Sequence, residues 1–335
     1  MSNILVIVTG SVAAPKSFEL LKQLKIRGFS IDVIMTDSAK KFVKKSDIEE
    51  LLKIKVNDNL WSKYEAENMH HINLSRKNDY IVVYPATAHF LNKVAFGFAD
   101  NLAAATILAS DKKVIFVPAM NTKMYQNKVT KESLKKLSSH GHIFIGPDSG
   151  SLACGETGLG RLVEFHDVLT KINEMEQLRA KVSGKRVLIS AGATIEPIDP
   201  VRYISNYSSG KQGYFIAKAL HEFGAEVTFV YGKIDIEIDC VFHKMIEAKS
   251  ANEMYDAVFS NVENMDLAIL SAAVADYRPI SVSKNKIKKT ETDNISITLT
   301  KNPDILSLLC HSQLKPKVVV GFAAESENVI GNAKI

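Results

Sequence analysis

Short runs of mostly apolar residues recur along the chain, and each is followed by a turn of small or polar residues. Such runs, without polar alternation, suit strands that are buried on both faces of a parallel sheet. Helical patterns separate many of them. The predicted strands are residues 4–8, 31–35, 80–83, 114–117, 186–189, 226–230, 267–270 and 318–322. The pattern therefore predicts an α/β fold with mainly parallel sheets.

The strand pattern restarts near residue 182, after a helical segment at 168–178 and a short polar joint, AKVSGK, at 180–185. A chain of 335 residues also exceeds one ordinary hydrophobic core. We therefore predict two Rossmann-like, three-layer domains, residues 1–181 and 182–335. Ligands of such sheets bind beyond the carboxyl ends of the strands, so functional residues should follow the apolar runs.

Composition narrows the possible functions. Lys and Arg number 42 against 37 Asp and Glu, and the resulting charge of +5 is spread along the chain, which fits phosphate-bearing small ligands better than nucleic acid. We expect no membrane span and no signal peptide. Cys154, Cys240 and Cys310 are far apart, so neither a zinc site nor a disulfide framework is indicated. A cytoplasmic location is expected.

Two turns in the first half offer polar groups at predicted strand ends. Gly10 and Ser11 follow the first strand, where backbone amides can hold a phosphate, although an ordinary tight turn explains them equally well. Since the full GxGxxG pattern is missing, a mononucleotide is favoured over a dinucleotide. Thr36 and Ser38 follow the second strand, where helix capping alone would also explain them.

Two further turns, PATA at 85–88 and PAMN at 118–121, follow the third and fourth strands. Their small residues would let a flat ring approach the backbone. Asn121 could equally be a helix N-cap, because a lysine-rich helical segment follows it. His70 and His71 precede the third strand, where a surface position at a helix end is the simplest explanation.

Cys154 lies in the glycine-rich stretch GPDSGSLACGETGLGRLVE, residues 146–164. A free cysteine is usually a small buried hydrophobe. This stretch has few apolar side chains, and its glycines predict neither a helix nor a regular strand. We therefore expect the thiol on a mobile loop.

Polar residues also follow the predicted strands of the second half. Asn206 lies in a long loop at 190–213 that could bind a phosphate-rich ligand or be a solvent-exposed connector. Asp276 follows a strand, and Lys286 comes ten residues later within a lysine-rich run. A carboxylate there can hold Mg²⁺ or a ribose and a lysine can meet a triphosphate, whereas a lysine run alone is usually a solvated face.

Five motifs in the first half occur together: HINL (71–74), PATA (85–88), ADNLAA (99–104), PAMNTKM (118–124) and GPDSGSLACGETGLGR (146–161). In this order they resemble the flavin-dependent phosphopantothenoylcysteine decarboxylases of the homo-oligomeric flavin-containing cysteine decarboxylase family. The resemblance implies a flavodoxin-like domain that binds FMN, with His71, Asn121 and Cys154 as catalytic residues. The implied FMN contacts are Gly10, Ser11, Thr36, Ser38, Pro85, Ala86, Thr87 and Met120.

In that family the cysteinyl thiol of the substrate is oxidised by FMN, carbon dioxide leaves, and the hydride and a proton are then returned. The resemblance assigns the proton to Cys154, on a flap that closes over the substrate, and the substrate carboxylate to Asn121. His71 would act near the flavin and the thiol. Glycines at 150, 155, 158 and 160 would give the flap its hinge freedom.

The second half resembles the CTP-dependent bacterial phosphopantothenate–cysteine ligases. The segments that carry this resemblance are the loop at 190–213, SAAVADYRP (271–279), KNPDIL (301–306) and VGFAAE (320–325). The order of the two halves is that of the bifunctional coenzyme A biosynthesis family. The resemblance implies an acyl-CMP of 4′-phosphopantothenate, held by Asn206 and attacked by cysteine. Asp276 would also bind Mg²⁺. The implied CTP contacts are Ala273, Asp276, Lys286, Asn302, Pro303, Asp304, Ile305 and Phe322.

The resemblance further implies a homo-oligomer, trimeric or higher through the flavoprotein domain and dimeric through the ligase domain. Family members continue beyond the position of residue 335, so the ligase domain is expected to be incomplete at its C-terminus, where Lys334 has no assigned role. Two alternatives remain: a decarboxylase with a degenerate ligase half, and a non-catalytic flavoprotein regulator. Retention of His71, Asn121 and Cys154 disfavours the regulator.

Overall fold

The computed structural model describes residues 2–61, 69–288, 295–324 and 327. The chain divides into two compact units, Met1–Met175 and Glu176–Ile335. Lys334 lies outside the described residues, as does Glu325 of the last motif. In the described part of the chain, no helix combines the length and the apolar character needed to cross a membrane.

The first unit is built on a five-stranded parallel sheet in the order β2-β1-β3-β4-β5. This is the strand order of flavodoxin-like sheets, in which the order of strand addition reverses between β1 and β3. Ile4, Val6 and Val8 pack into one core, while Leu5 and Ile7 pack into the core on the opposite face. The strands are β1 (Asn3–Val8), β2 (Ser30–Met35), β3 (Tyr80–Ala86), β4 (Val114–Pro118) and β5 (Ile143–Phe144). The α/β class with mainly parallel sheets is confirmed.

Helices cover both faces of this sheet. Several begin with a side-chain cap: Thr87, Asn101, Asn121 and Asn127 each accept a hydrogen bond from a backbone N–H of the helix that follows. The helices are α1 (Ser17–Ile26), α2 (Lys45–Leu52), α3 (His70–Lys77), α4 (Ala88–Ala95), α5 (Leu102–Leu108), α6 (Thr122–Gln126), α7 (Lys128–Ser139) and α8 (Phe165–Val182). Short 3-10 helices lie at Ala14–Lys16 and Ala39–Lys41.

The glycine-rich stretch around Cys154 is not irregular, and the prediction that it contains no regular strand is wrong. It forms an antiparallel hairpin of β6 (Asp148–Ser151) and β7 (Thr157–Arg161), with Cys154 in the connecting turn. Gly160 has a φ of +145°, and a Cβ at this position would collide with the carbonyl oxygen of Met120. The backbone N–H of Met120 donates to the Gly160 carbonyl at 3.0 Å. The glycine therefore lets the hairpin pack closely on the turn after β4.

The second unit is built on another five-stranded parallel sheet, in the order β12-β11-β8-β13-β16. Numbered along this unit, the order is 3-2-1-4-5, the Rossmann arrangement, and the order of strand addition reverses between β8 and β13. Val187 and Ile189 of β8 enter one core and Leu188 enters the other. The sheet strands are β8 (Arg186–Ala191), β11 (Glu226–Tyr231), β12 (Lys244–Glu247), β13 (Leu267–Leu270) and β16 (Val318–Gly321).

Two short antiparallel pairs stand outside this sheet. They are β9 (Glu196–Pro197) with β10 (Tyr203–Ile204), and β14 (Tyr277–Pro279) with β15 (Leu299–Lys301). The helices of this unit are α9 (Lys211–Glu222), α10 (Ala251–Phe259) and α11 (Ile305–Cys310). Both antiparallel pairs belong to the long connections that follow β8 and β13, so they organise the loops beyond the carboxyl ends of these two strands.

Candidate active sites

The turns that follow β1, β3 and β4 are tied together by hydrogen bonds. The buried Thr9 donates its hydroxyl to the Pro85 carbonyl at 2.7 Å, and the same hydroxyl accepts from the Thr87 backbone N–H at 3.2 Å. The Ala119 backbone N–H donates to the Ala86 carbonyl at 3.0 Å. The predicted residues Pro85, Ala86 and Thr87 thus lie at the carboxyl edge of the sheet, fixed to its neighbouring turns.

The turns after β1 and β2 also meet. A Cβ at Gly10 would collide with the Ser38 side chain, so the first turn approaches the second as closely as a backbone can. The hydroxyl oxygens of Ser38 and Thr36 are 3.2 Å apart. The Thr36 hydroxyl also accepts from the Ala39 backbone N–H at 3.3 Å, while Ser38, the N-cap of the 3-10 helix that follows, makes no side-chain cap hydrogen bond. Gly10, Thr36 and Ser38 are therefore neighbours, and Ser11 follows them directly.

Asn121 joins the turn after β4 to the hairpin. Its Oδ1 accepts from the Lys123 backbone N–H at 2.8 Å, which makes it the N-cap of α6. Its Nδ2 lies 3.3 Å from Cys154 Sγ and donates to Glu156 Oε2 at 2.6 Å. Asn121 is therefore the N-cap of α6 and also lines the cavity described below. Glu156, its partner, was missed by the sequence reasoning.

A cavity of about 560 Å³ lies between the turn after β1, the turn after β4 and the hairpin, and we refer to it as the hairpin cavity. Four predicted residues line it, together with two cations that were not predicted: Ser11, Met120, Asn121 and Cys154, with Lys16 and Arg161. A thiol, an amide and two cations therefore meet over one pocket, and one of the cations, Lys16, also pairs with Glu164 at 2.7 Å. This set can bind an anionic ligand and hand a proton to it.

His71 is not brought to the hairpin cavity of its own chain. It lies half-buried in the first turn of α3, beside His70, whose Nε2 is 2.8 Å from Asn57 Oδ1. Burial lowers the pKa of His70. Neither do Thr36, Ser38 or the PATA turn line this cavity.

The second unit has its own cavity of about 580 Å³, here called the sheet-end cavity, beyond the carboxyl ends of β8 and β13. The pairing of β14 with β15 brings the two halves of its wall together, because the Asn302 backbone N–H donates to the Asp276 carbonyl at 2.8 Å. The predicted residues that line it are Asp276, Asn302, Pro303, Asp304, Ile305 and Phe322. Lys301 adds a positive charge.

The side chain of Asn302 holds the wall of the sheet-end cavity. Its Nδ2 donates to the Ala275 carbonyl at 2.7 Å, and its Oδ1 accepts from Arg278 Nη1 at 2.9 Å. The same Arg278 nitrogen donates to the Lys301 carbonyl at 2.8 Å. Arg278 was missed by the sequence reasoning, although it stands two residues after Asp276. It fixes the geometry of the loop from which the cavity residues project.

Three predicted residues do not line the sheet-end cavity. Asn206 donates through Nδ2 to the Ala273 carbonyl at 2.6 Å, so the loop at 190–213 is tied to the turn after β13. Lys286 is exposed, in the segment that ends at residue 288, where the described residues stop before a gap. The structure therefore brings Asn206 and Ala273 together, and Lys286 lies outside the lining of the sheet-end cavity.

A buried aspartate anchors the segment that carries Lys286. Arg202 Nη2 donates to Asp199 Oδ2 at 2.6 Å and to the Ile287 carbonyl at 2.8 Å. The Ile287 backbone N–H donates to the same Asp199 oxygen at 3.1 Å. The Arg202 guanidinium, assisted by backbone N–H donors, holds the pKa of Asp199 well below its usual range. Neither Asp199 nor Arg202 stood out among the polar residues of this long loop.

Two family models match this chain. The model described as "Flavoprotein" matches residues 1–176, and the one described as "DNA/pantothenate metabolism flavoprotein C-terminal domain" matches residues 182–335. The coenzyme A biosynthesis bifunctional protein CoaBC of Vibrio vulnificus (strain YJ016) is 39% identical over 328 residues, which cover 98% of this chain and 81% of the relative. The same-named protein of Escherichia coli (strain K12) is 38% identical over 331 residues, covering 96% and 80%.

Solved structures also resemble part of the chain. HAL3 from Cryptococcus neoformans is 25% identical, with a TM-score of 0.47, and the match covers 53% of this chain and 97% of that chain. The FMN binding protein AtHal3 is 29% identical, with a TM-score of 0.45, covering 52% of this chain and 97% of that chain.

Proposed function

Because this chain belongs to the family of coenzyme A biosynthesis bifunctional proteins, we propose that it joins cysteine to 4′-phosphopantothenate and decarboxylates the product to 4′-phosphopantetheine. Residues 182–335 would carry out the CTP-dependent ligation through an acyl-CMP intermediate. Residues 1–181 would carry out the decarboxylation. The observation that carries the proposal is the contact between Asn121 Nδ2 and Cys154 Sγ, 3.3 Å apart over the hairpin cavity.

The residues around the hairpin cavity fit FMN. Small and apolar residues, among them Ala13, Ala119 and Met120, line much of this cavity, which suits the face of a flat ring. Lys16, which pairs with Glu164 at 2.7 Å in the ligand-free protein, would turn to a phosphate, and the Ser11 hydroxyl would donate to it. The residues proposed to hold FMN are Gly10, Ser11, Thr36, Ser38, Pro85, Ala86, Thr87 and Met120. Ser11 and Met120 line the hairpin cavity, and the others lie in neighbouring turns at the same sheet edge. Bound there, FMN would supply the two-electron oxidation of the substrate thiol and its reversal.

The chain's own residues would bind the substrate and move its protons. The two amide donors of Asn121 would hold the substrate carboxylate, and the hairpin would exclude water from the cavity. The Cys154 thiol would deliver a proton to the decarboxylated carbon as a general acid. His71 would act near the substrate thiol. We also propose a homo-oligomer, trimeric or higher through the first unit and dimeric through the second, in which His71 could reach the cavity of a neighbouring copy.

The sheet-end cavity fits a nucleoside triphosphate with Mg²⁺. Magnesium is usually bound by one or two carboxylates together with substrate phosphates, and Asp276 supplies a carboxylate to this cavity. The loop at 302–305 and Phe322 would hold the rest of CTP. Lys286 would meet the triphosphate, and Asn206, tied to Ala273, would contact the acyl-CMP.

Two assays on the wild-type protein test the proposal. With CTP, Mg²⁺ and 4′-phosphopantothenate but no cysteine, we expect magnesium-dependent release of pyrophosphate. With 4′-phosphopantothenoylcysteine as the only substrate, we expect carbon dioxide and 4′-phosphopantetheine from flavin-loaded protein. Absence of the first product would remove the ligase proposal, and absence of the second, from protein that retains FMN, would remove the decarboxylase proposal.

A further inference from the structure

Glu156 sits where the hairpin meets the turn after β4. Its carboxylate accepts from Asn121 Nδ2 at 2.6 Å and lies 3.8 Å from Cys154 Sγ, so it touches both side chains assigned above to substrate handling. Glu156 itself is exposed and is the second residue after Cys154, at the end of the connecting turn. The decarboxylation scheme above gives it no role.

The orientation of Asn121 explains why a carboxylate is its partner. The amide oxygen is used by the Lys123 backbone N–H at the start of α6, so only the NH₂ group of Asn121 faces the hairpin. An NH₂ group has two donors and no acceptor. One donor is directed to Glu156 and the other lies near Cys154. A hydrogen bond to an ionised acceptor is stronger than one to a neutral group, so this position favours an anion.

A second carboxylate cannot take the same donor while Glu156 holds it, and two adjacent carboxylates repel each other. We propose that Glu156 is a resident carboxylate that occupies Asn121 in the ligand-free protein and is displaced when the substrate carboxylate binds. This inference rests on the proposed decarboxylase function, because it requires Asn121 to bind the substrate carboxylate. Glu156 takes no part in making or breaking bonds, and it is a positioning residue.

The exchange gives the site a way to distinguish substrate from product. 4′-Phosphopantothenoylcysteine carries a carboxylate that can replace Glu156 at Asn121. 4′-Phosphopantetheine has lost that carboxylate, so Glu156 returns to Asn121. The turn that contains Cys154 then takes up its ligand-free position next to Asn121 again. Binding of the acid is weakened by competition from Glu156, whereas binding of the product is not.

The test compares two ligands on FMN-loaded wild-type protein and on Glu156→Gln. The first ligand is 4′-phosphopantothenoylserine, which keeps the carboxylate but has a hydroxyl in place of the oxidisable thiol. The second is 4′-phosphopantetheine. Glutamine keeps the length of the side chain but removes its charge, so that its amide oxygen is a weaker acceptor for Asn121. We expect Glu156→Gln to bind the serine analogue about tenfold more tightly, as measured by calorimetry, with the affinity for 4′-phosphopantetheine unchanged.

Glu174→Gln is the matched control, because Glu174 is an exposed glutamate of the same unit that pairs with Lys171 at 3.1 Å and does not line the hairpin cavity. It should bind both ligands as the wild type does. Unchanged or weaker binding of the serine analogue by Glu156→Gln would overturn the role of Glu156, as would an equal change for both ligands. If the wild type binds neither ligand, the decarboxylase proposal fails and this inference fails with it.

Discussion

The two units place their cavities at the same kind of sheet edge but complete them differently. The hairpin cavity is covered by β6 and β7, whose connecting turn carries Cys154, so the cover itself brings a reactive group. The sheet-end cavity is framed by β14 and β15, and its charged side chains, Asp276, Asp304 and Lys301, belong to the frame. The hairpin cavity thus has its thiol on the segment that covers it, whereas the sheet-end cavity has its charged side chains on or next to the strands that form its wall.

This difference follows from what each proposed reaction requires. A proton donor must approach a substrate that has already bound, so a thiol on a separate hairpin suits the decarboxylation. A magnesium triphosphate needs charges that are already ordered, because reorganising them during the reaction would cost rate. The Arg278–Asn302 and Arg202–Asp199 contacts supply that order in the second unit.

The largest effect is expected for substitution of Cys154, which should impair the reaction of the first unit and leave that of the second unit unchanged. Cys154→Ser should still release carbon dioxide from 4′-phosphopantothenoylcysteine but should lose 4′-phosphopantetheine formation by about 10²–10⁴-fold, because a hydroxyl is a poorer acid than a thiol. Pyrophosphate release by the second unit should be unaffected. Cys240→Ser, which changes a half-buried thiol of the second unit, is the control. Unchanged formation of 4′-phosphopantetheine by Cys154→Ser would remove the thiol from the proton-donor role.

The next largest effect is expected for a substitution in the second unit, which should impair ligation and leave decarboxylation unchanged. Asp276→Asn should slow magnesium-dependent pyrophosphate release by about 10–100-fold, because the amide binds Mg²⁺ more weakly than the carboxylate. Decarboxylation of supplied 4′-phosphopantothenoylcysteine should continue at the wild-type rate. Asp235→Asn, an exposed aspartate of the same unit near Lys233, controls for the loss of charge. Equal losses in both reactions would contradict the separation of the two sites.

A smaller effect tests whether the second site depends on a preordered frame. Arg278→Met removes both hydrogen bonds that Arg278 Nη1 donates, to the Lys301 carbonyl and to Asn302 Oδ1, because a thioether has no donor. We expect the KM for CTP to rise about tenfold with little change in kcat. Steady-state kinetics at varied CTP measures both constants. A fall in kcat at constant KM would show that Arg278 acts on the reaction and not on nucleotide binding.

The smallest effect concerns acid pH. The pKa of Asp199 is lowered in the folded protein, so its stabilising contribution is present above the unfolded pKa of about 3.9 and is lost as the pH falls toward the folded value. The hydrogen-exchange protection factor of the Ile287 amide, which donates to Asp199, should therefore fall below about pH 4. Asp199→Asn should show no such pH dependence. The same fall in Asp199→Asn would mean that another group is titrating.

Much of the fold could be predicted because its strands are buried on both faces. Ile4 through Val8 face two cores in alternation, so each position must be apolar and the run is visible in the sequence. The hairpin around Cys154 could not be predicted in this way. Its strands pair through backbone groups and rely on glycines such as Gly160 to approach a distant turn, which removes the side-chain pattern that identifies a strand.

The same distinction holds for the sites. Residues that follow apolar runs, such as Asn121 and Asp276, could be selected from the sequence because strand ends mark the ligand edge. Glu156, Arg278 and Asp199 could not, because their importance comes from contacts with residues far along the chain or across a turn. Family resemblance, and not periodicity, is what pointed to His71, and its place in the site stays a proposal.

The most direct test of two independent sites is to mix the two single variants, Cys154→Ser and Asp276→Asn, with 4′-phosphopantothenate, cysteine, CTP and Mg²⁺. Each variant alone should form 4′-phosphopantetheine at least about tenfold more slowly than the wild type, because one of its two steps is impaired. Together they should form it faster than either variant alone, because 4′-phosphopantothenoylcysteine made at the second unit of one variant can be decarboxylated by the first unit of the other. If the mixture is no faster than the faster variant alone, while each variant retains its own remaining reaction, the two units do not act as separate sites.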